Sequence, residues 1–248
     1  DDFIKNIFVD LFSRSKQLRI RDGDKIVIMS DMHVGNRGRS DDFLKNGSLC
    51  GSILEDYYFE KNYTLLLNGD IEELHRFTLK EIEQAWPRIY EIFQAFADRD
   101  RLWKNIGNHD IILPLQRNYR FREQLSDSLR LEFGENTLFV FHGHQVSPFQ
   151  RRFNMLAGLL LRVIAKPLGI KSYSVSADKK KQFRVERRIY RFSEQLRIAS
   201  VIGHTHRPLF ESLSKSDSLR FQIEQLCREY ASVDELRIDS VESRIRAL

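Results

Sequence analysis

The sequence predicts an α/β fold built on a layered sheet, and three observations carry that reading. Five short apolar runs recur along the 248 residues, each bounded by polar turn residues. Between two of them lies a longer stretch with apolar residues at three- and four-residue spacing. Each run ends in a cluster of histidine, aspartate or asparagine, and in such folds ligands collect beyond the carboxyl ends of strands.

KIVIM (25–29) runs into SDMHVGNRG, YTLLL (63–67) into NGD, and RLWKNI (101–106) into GNHD. NTLFVF (136–141) runs into HGH, and RIASVI (197–202) into GHTH. Runs rich in β-branched and aromatic residues and closed by Gly or Asn read as buried strands. TLKEIEQAWPRIYEIFQAFAD (78–98) reads as a helix that Pro87 kinks or divides, since proline has no amide hydrogen to continue the ladder. Segment 149–197 is different in character. FQRRFNMLAGLLLRVIAKPLGI reads as an amphipathic helix stopped around Pro167 and Gly169, and SADKKKQFRVERRIYRFSEQL as a basic helix starting near Ser176. A single domain over 1–248 is expected, with 149–197 as a basic amphipathic insertion and 212–248 as a helical tail.

A hydrophobic share of 42% supports a sizeable core, and 30% charged residues suit a soluble protein. The run MLAGLLL (155–161) is broken by Arg162, far short of the ~20 residues that span a bilayer. No signal peptide opens the chain, and its start at Asp1 reads as processing or trimming. Cys50 and Cys227 lack metal-type spacing; a reducing compartment, the cytoplasm, is the simpler reading, and one disulfide the alternative. The net charge of +5 is uneven, because Gln145–Ser200 holds 13 Lys and Arg against three acids. That segment is where an anionic partner is expected.

Of seven histidines, His33, His109, His142, His144, His204 and His206 lie in the polar turns. His75, in ELHRF, reads instead as a helix-face residue. Asp31, Asp70, Asn108 and Asp110 share those turns. Imidazole, carboxylate and amide donors together suit two divalent cations held about 3.5–4 Å apart by a bridging carboxylate. Asp70 can supply the bridge, Asp31 and His33 can address one ion, and Asn108 can give a neutral oxygen to the other. Such a centre binds phosphate oxygens and activates water for in-line attack on phosphorus, while an imidazole that is not a ligand protonates the leaving oxygen.

The ordered blocks D-x-H, G-D, G-N-H-D, H-G-H and G-H-T-H, from Asp31 to His206, resemble the calcineurin-like metallophosphoesterases. That resemblance implies a four-layer β-sandwich flanked by helices. It places Asp31, His33, Asp70 and His206 on the first metal and Asp70, Asn108, His142 and His204 on the second. His109 would be the catalytic imidazole, positioned by Asp110. The metals are expected to be two divalent ions, Mn²⁺ first, with Fe, Zn or Co also suited to nitrogen and oxygen donors.

Within the family the chain is most similar to the UDP-2,3-diacylglucosamine pyrophosphatases of lipid A synthesis. These carry a basic, apolar helical lid between the H-G block and G-H-T-H-R-P, where 149–197 lies here. The chain departs from that branch in reading H-G-H for H-G-D, in keeping His109 where some members have Arg, and in running from Pro208 into a polar helical stretch instead of strands. An amphipathic nucleotide–lipid substrate is the implied partner, with peripheral contact between the lid and an anionic membrane on its cytoplasmic face. Asn36, Arg37, Arg39, His144, Arg151 and Arg207 are the candidate substrate contacts. Two other functions fit the blocks: a phosphodiesterase acting on nucleic acid, and a catalytically silent interaction scaffold. The aromatics of 149–197 are interleaved with long aliphatics, which suits lipid better than stacked bases, and the full ligand set with His109 argues against a silent scaffold.

Overall fold

The computed structural model describes residues 2–146 and 179–207, with isolated positions between 219 and 230. The chain divides into two units, 1–205 and 206–248, and every described strand belongs to the first. The expected first helix of the insertion, with Arg151, lies outside the described residues, as does most of the expected tail; the described positions from 219 to 230 are helical.

Two four-stranded sheets form the centre. In one, β2 (Ile26–Met29), β3 (Thr64–Asn68), β4 (Leu102–Asn105) and β5 (Leu125–Ser126) pair in that order, all parallel. In the other, the order is β1 (Lys16–Arg19), β6 (Ser128–Phe133), β7 (Asn136–Phe141) and β8 (Ala199–Val201), with only β6 and β7 antiparallel.

Side-chain alternation explains why the sheets stack. Leu66, Ile26 and Ile28 face Leu129, Leu131 and Val140 in a shared apolar layer between the two sheets. Leu65, Leu67, Val27 and Met29 face the opposite way, onto helices α3 (Leu79–Ala85) and α4 (Pro87–Ala97). Phe139 and Phe141 leave the other sheet to meet α1 (Asp2–Ser13) and the helix Lys179–Leu196, which is α5 once α2 (Gly47–Ser52) is counted. The order of layers is helix, sheet, sheet, helix, as the sequence led one to expect.

Local signals set the ends of these elements. Thr78 caps α3 with its side chain on the Glu81 amide, and the Glu81 carboxylate returns to the Thr78 amide. Pro87 divides the expected 78–98 helix: α3 ends at Ala85, and α4 starts with Pro87 in its first turn, where a missing N–H costs nothing. In α5, Val185, Ile189 and Phe192 recur at helical spacing and pack inward; Phe192 stacks on Phe8 with ring centroids 4.2 Å apart. No described helix is long and apolar enough to cross a membrane.

Candidate metal centre

Turns that leave β2, β3, β4, β7 and β8 at their carboxyl ends carry all the expected ligands of the first unit. The β2 turn is laced to the β3 turn by backbone bonds from Asp31, His33 and Val34 to Gly69, Asp70 and Ile71, at 2.8–3.1 Å. Asp31, His33, Asp70 and His204 all adopt left-handed backbone, with φ between 47° and 67°. Such conformations are uncommon outside glycine and gather at functional sites. A Cβ on Gly69, itself at φ 81°, would stand 2.7 Å from the His142 ring. A Cβ on Gly107 would collide with the Asp70 carboxylate. Both glycines are therefore dictated by close approach of the ligand turns.

Asp70 occupies the middle. Its Oδ2 lies 3.2 Å from His142 Nε2, 3.9 Å from His109 Nε2 and 4.0 Å from His33 Nε2. Burial works to raise the Asp70 carboxyl, but the imidazoles of His142, His109 and His33 outweigh it and hold it well below the usual range. His142 answers in kind: burial lowers it, and Asp70 with Asp31 lifts it to about 9. The His142 ring donates Nδ1–H to the Asn68 carbonyl at 2.9 Å, so that Nε2 is the nitrogen turned to the acids; a cation bound there would take the place of its proton. Asp70, His142 and His204 are all buried, with ligand atoms within 4.8 Å of one another. Asn108 Oδ1 is buried and meets no hydrogen-bond donor among the described residues, as an oxygen reserved for a cation would be. Asp31 accepts the His204 amide on both oxygens, at 3.0 and 3.1 Å. The donor set and the orphaned amide oxygen fit divalent ions.

The sequence model of the calcineurin-like phosphoesterases matches residues 24–208, from the start of β2 to just past the GHTH turn. The chain belongs to this family. It is a metal-dependent phosphoesterase, a hydrolase of phosphoester bonds that works with divalent ions. No curated protein matches it.

In this phosphoesterase the acid beside the His109 ring is Glu73, which is not among the expected site residues, whereas Asp110 makes its contacts with backbone. His109 Nδ1 lies 2.9 Å from the Glu73 carboxylate, and His33 Nδ1 lies 3.2 Å from it. Burial raises Glu73, but hydrogen bonds from both imidazoles and the charge of Arg76 hold it far below the usual range. An ionised carboxylate only accepts, so both rings keep their hydrogen on Nδ1 and present Nε2 to the site. Asp110 faces the backbone instead, accepting Gly107 N–H at 2.6 Å and Ile71 N–H at 2.9 Å. His75 is corrected from a helix face to a turn, where its ring packs 4.3 Å from that of His109. Burial and the His109 charge lower His75 to about 4, so it stays neutral.

The expected substrate contacts are spread more widely. His144 is buried 5.5 Å from His142 and 6.3 Å from His204 between ring centroids; burial and those two rings lower it strongly. Asn36, Arg37 and Arg39 lie on the loop after the β2 turn, and the Arg37 guanidinium sits over Trp86 at 4.1 Å. Asp41 organises that loop by accepting from Gly35, Arg37, Phe43 and the Trp86 indole. His206 and Arg207 open the second unit; the place of His206 on the first metal rests on the order of the motif.

Proposed function

We propose that this phosphoesterase holds two divalent ions, Mn²⁺ foremost, and cleaves the pyrophosphate of an amphipathic nucleotide–lipid such as UDP-2,3-diacylglucosamine. The observation that carries the dinuclear reading is the single Asp70 Oδ2, within 4.0 Å of His33 Nε2 and 3.2 Å of His142 Nε2. A shared carboxylate oxygen between two imidazole groups is what a bridged pair of ions requires. Asp31, His33, Asp70 and His206 hold one ion, and Asp70, Asn108, His142 and His204 the other. When bound, the ions supply Lewis acidity that polarises the phosphoryl group and acidifies water.

The protein's own residues do the rest. Glu73 keeps the His109 hydrogen on Nδ1 and stabilises the protonated ring, so that Nε2–H delivers a proton to the leaving oxygen. His75, neutral beside it, packs the ring in place. Asp110 fixes the loop that carries Asn108 and His109 through its backbone. Asn36, Arg37, Arg39, His144, Arg151 and Arg207 are proposed to meet the substrate, the arginines at its phosphates.

The lipid part of the reading is supported by α5. Its outer side interleaves Phe183 and Tyr190, 57% and 67% exposed, with exposed Arg184, Arg187 and Arg191. Aromatic rings among cations suit an acyl chain beneath an anionic headgroup, and the same face suits peripheral contact with an anionic membrane. The test is incubation with Mn²⁺ against UDP-diacylglucosamine, bis-p-nitrophenyl phosphate and single-stranded DNA, with His109→Ala as control. Turnover of the nucleotide–lipid, lost in the control, is expected. Turnover of DNA alone would overturn the lipid reading, and bound metal with no turnover of any of the three would overturn the hydrolytic one.

A further inference from the structure

Behind the metal centre lies a buried ionic cluster that the chemistry above does not use. Lys104 on β4 is fully buried, with its Nζ 2.7 Å from Glu72 Oε2 and 3.8 Å from Asp110 Oδ2. Glu72 and Asp110 are themselves buried completely. The hydroxyls of Tyr90 and Tyr119 both donate to Glu72 Oε1, at 3.2 and 2.8 Å. Among the described residues, the ion pairs give these two carboxylates one cation, Lys104.

Removing two carboxylates and an ammonium from water is expensive, and apolar packing in their place is often more stable. A cluster of this kind is a poor stabiliser, which directs attention to what it touches. Asp110 joins the Gly107 amide, just before Asn108, to the Ile71 amide, just after Asp70. Glu72 is the next residue along that second turn and pairs with Val34 in the turn of Asp31 and His33. Lys104 thus sits under both acids, and each acid sits on a turn that carries ligands or the proton donor.

We infer that Lys104 is a positioning residue for His109: its ammonium draws Glu72 and Asp110 together and so fixes the height of the 107–110 loop against the Asp70 turn. Without it, two buried carboxylates face each other across the loops they hold, and the loops separate. A displacement of a fraction of an ångström moves His109 Nε2 off the leaving oxygen, while the ligands retain the ions that bind them. The inference rests on the reading of His109 as proton donor.

Leaving groups separate the two effects. A p-nitrophenolate departs without a proton, whereas an alkoxide needs one, so a misplaced His109 harms alkyl esters far more than aryl esters. For Lys104→Met, kcat at saturating Mn²⁺ on an alkyl phosphodiester is expected to fall about 10–100-fold, the range for residues that orient a metal site from behind. The p-nitrophenyl diester should fall much less. Both rates come from one preparation, so their ratio is independent of how much of it is folded. If Lys104→Met yields no soluble protein, Lys104→Gln carries the same test, because its amide can still donate to Glu72 while the charge that draws the two acids together is gone. Equal loss on both esters, or no loss on either, overturns the inference. His109→Ala sets the reference: if it too lowers both esters alike, the proton-donor reading falls and this inference falls with it; if it splits them and Lys104→Met does not, only the inference falls.

Discussion

Asp70 and Asp110 cross-tie the two turns that carry them. Asp70 Oδ1 accepts the amide of His109 at 2.8 Å, and Asp110 Oδ2 accepts the amide of Ile71 at 2.9 Å, so each acid is held by the neighbour of the other. One of the pair is also the central ligand candidate, and a change there acts twice. Asp70→Asn keeps the shape and removes the charge that three imidazoles face. The variant is expected to bind fewer ions per chain, read by elemental analysis, and to lose activity by more than about 100-fold, beyond the usual cost of an outer-shell change.

Glu73→Gln tests the shared acceptor of His33 and His109. The amide offers one good acceptor where the carboxylate offers two, so one ring loses its fixed tautomer. kcat is expected to fall about 10–100-fold, with a weaker apparent affinity for Mn²⁺ in titrations followed by activity. Full activity in this variant would show that the ring orientations are set elsewhere.

Gly107→Ala tests the close approach of the ligand turns. Its new Cβ meets the Asp70 carboxylate and amide, and neither can yield without moving the cross-tie. Overpacking of this kind costs about 1–3 kcal/mol, to be read as a lower midpoint in urea unfolding. The same variant should release metal more readily to a chelator.

Phe192→Ala tests the packing of α5. The ring is buried against Phe8 and Phe139, and its removal leaves a cavity between helix and sheet. A loss of about 3–5 kcal/mol in unfolding free energy is expected. Turnover of p-nitrophenyl diester per folded molecule should change little, since the ring belongs to the layer beneath the β7 turn rather than to the site.

Exposure to EDTA should abolish activity, and divalent ions should restore it. Because the ions bind the folded state, thermal unfolding should shift upward with metal concentration. At a hundredfold excess over Kd the gain is about 2.7 kcal/mol.

The strands that carry the site were legible because they read as mainly apolar runs closed by Gly, Asn or His, the mark of a sheet covered on both faces, with Lys104 the exception in β4. β6 was not, since SLRLEF alternates polar and apolar residues, and β1, KQLR, is a short edge strand with one apolar residue. The ligands were legible as side chains that chemistry rarely gathers in turns. Glu73 was not, because two adjacent glutamates carry nothing in their sequence that marks which one faces the imidazoles. In extended chain, adjacent side chains leave on opposite sides. Glu72 goes down to Lys104, Tyr90 and Tyr119, and Glu73 goes up to the imidazoles. Only the fold tells them apart.

The proposed ligands come from both halves of the sandwich: Asp31, His33, Asp70 and Asn108 from turns of one sheet, His142 and His204 from turns of the other. Between them, Asn68 and Asn105 donate side-chain N–H across the seam to the carbonyls of Phe141 and Val140, both at 3.0 Å. Neither sheet alone can supply the ligands proposed for the second ion. Metal capture is therefore a late event in folding, possible only once the seam has closed in register. Added Mn²⁺ should slow unfolding and leave the refolding rate almost untouched, so that the ion works as a latch on a finished assembly.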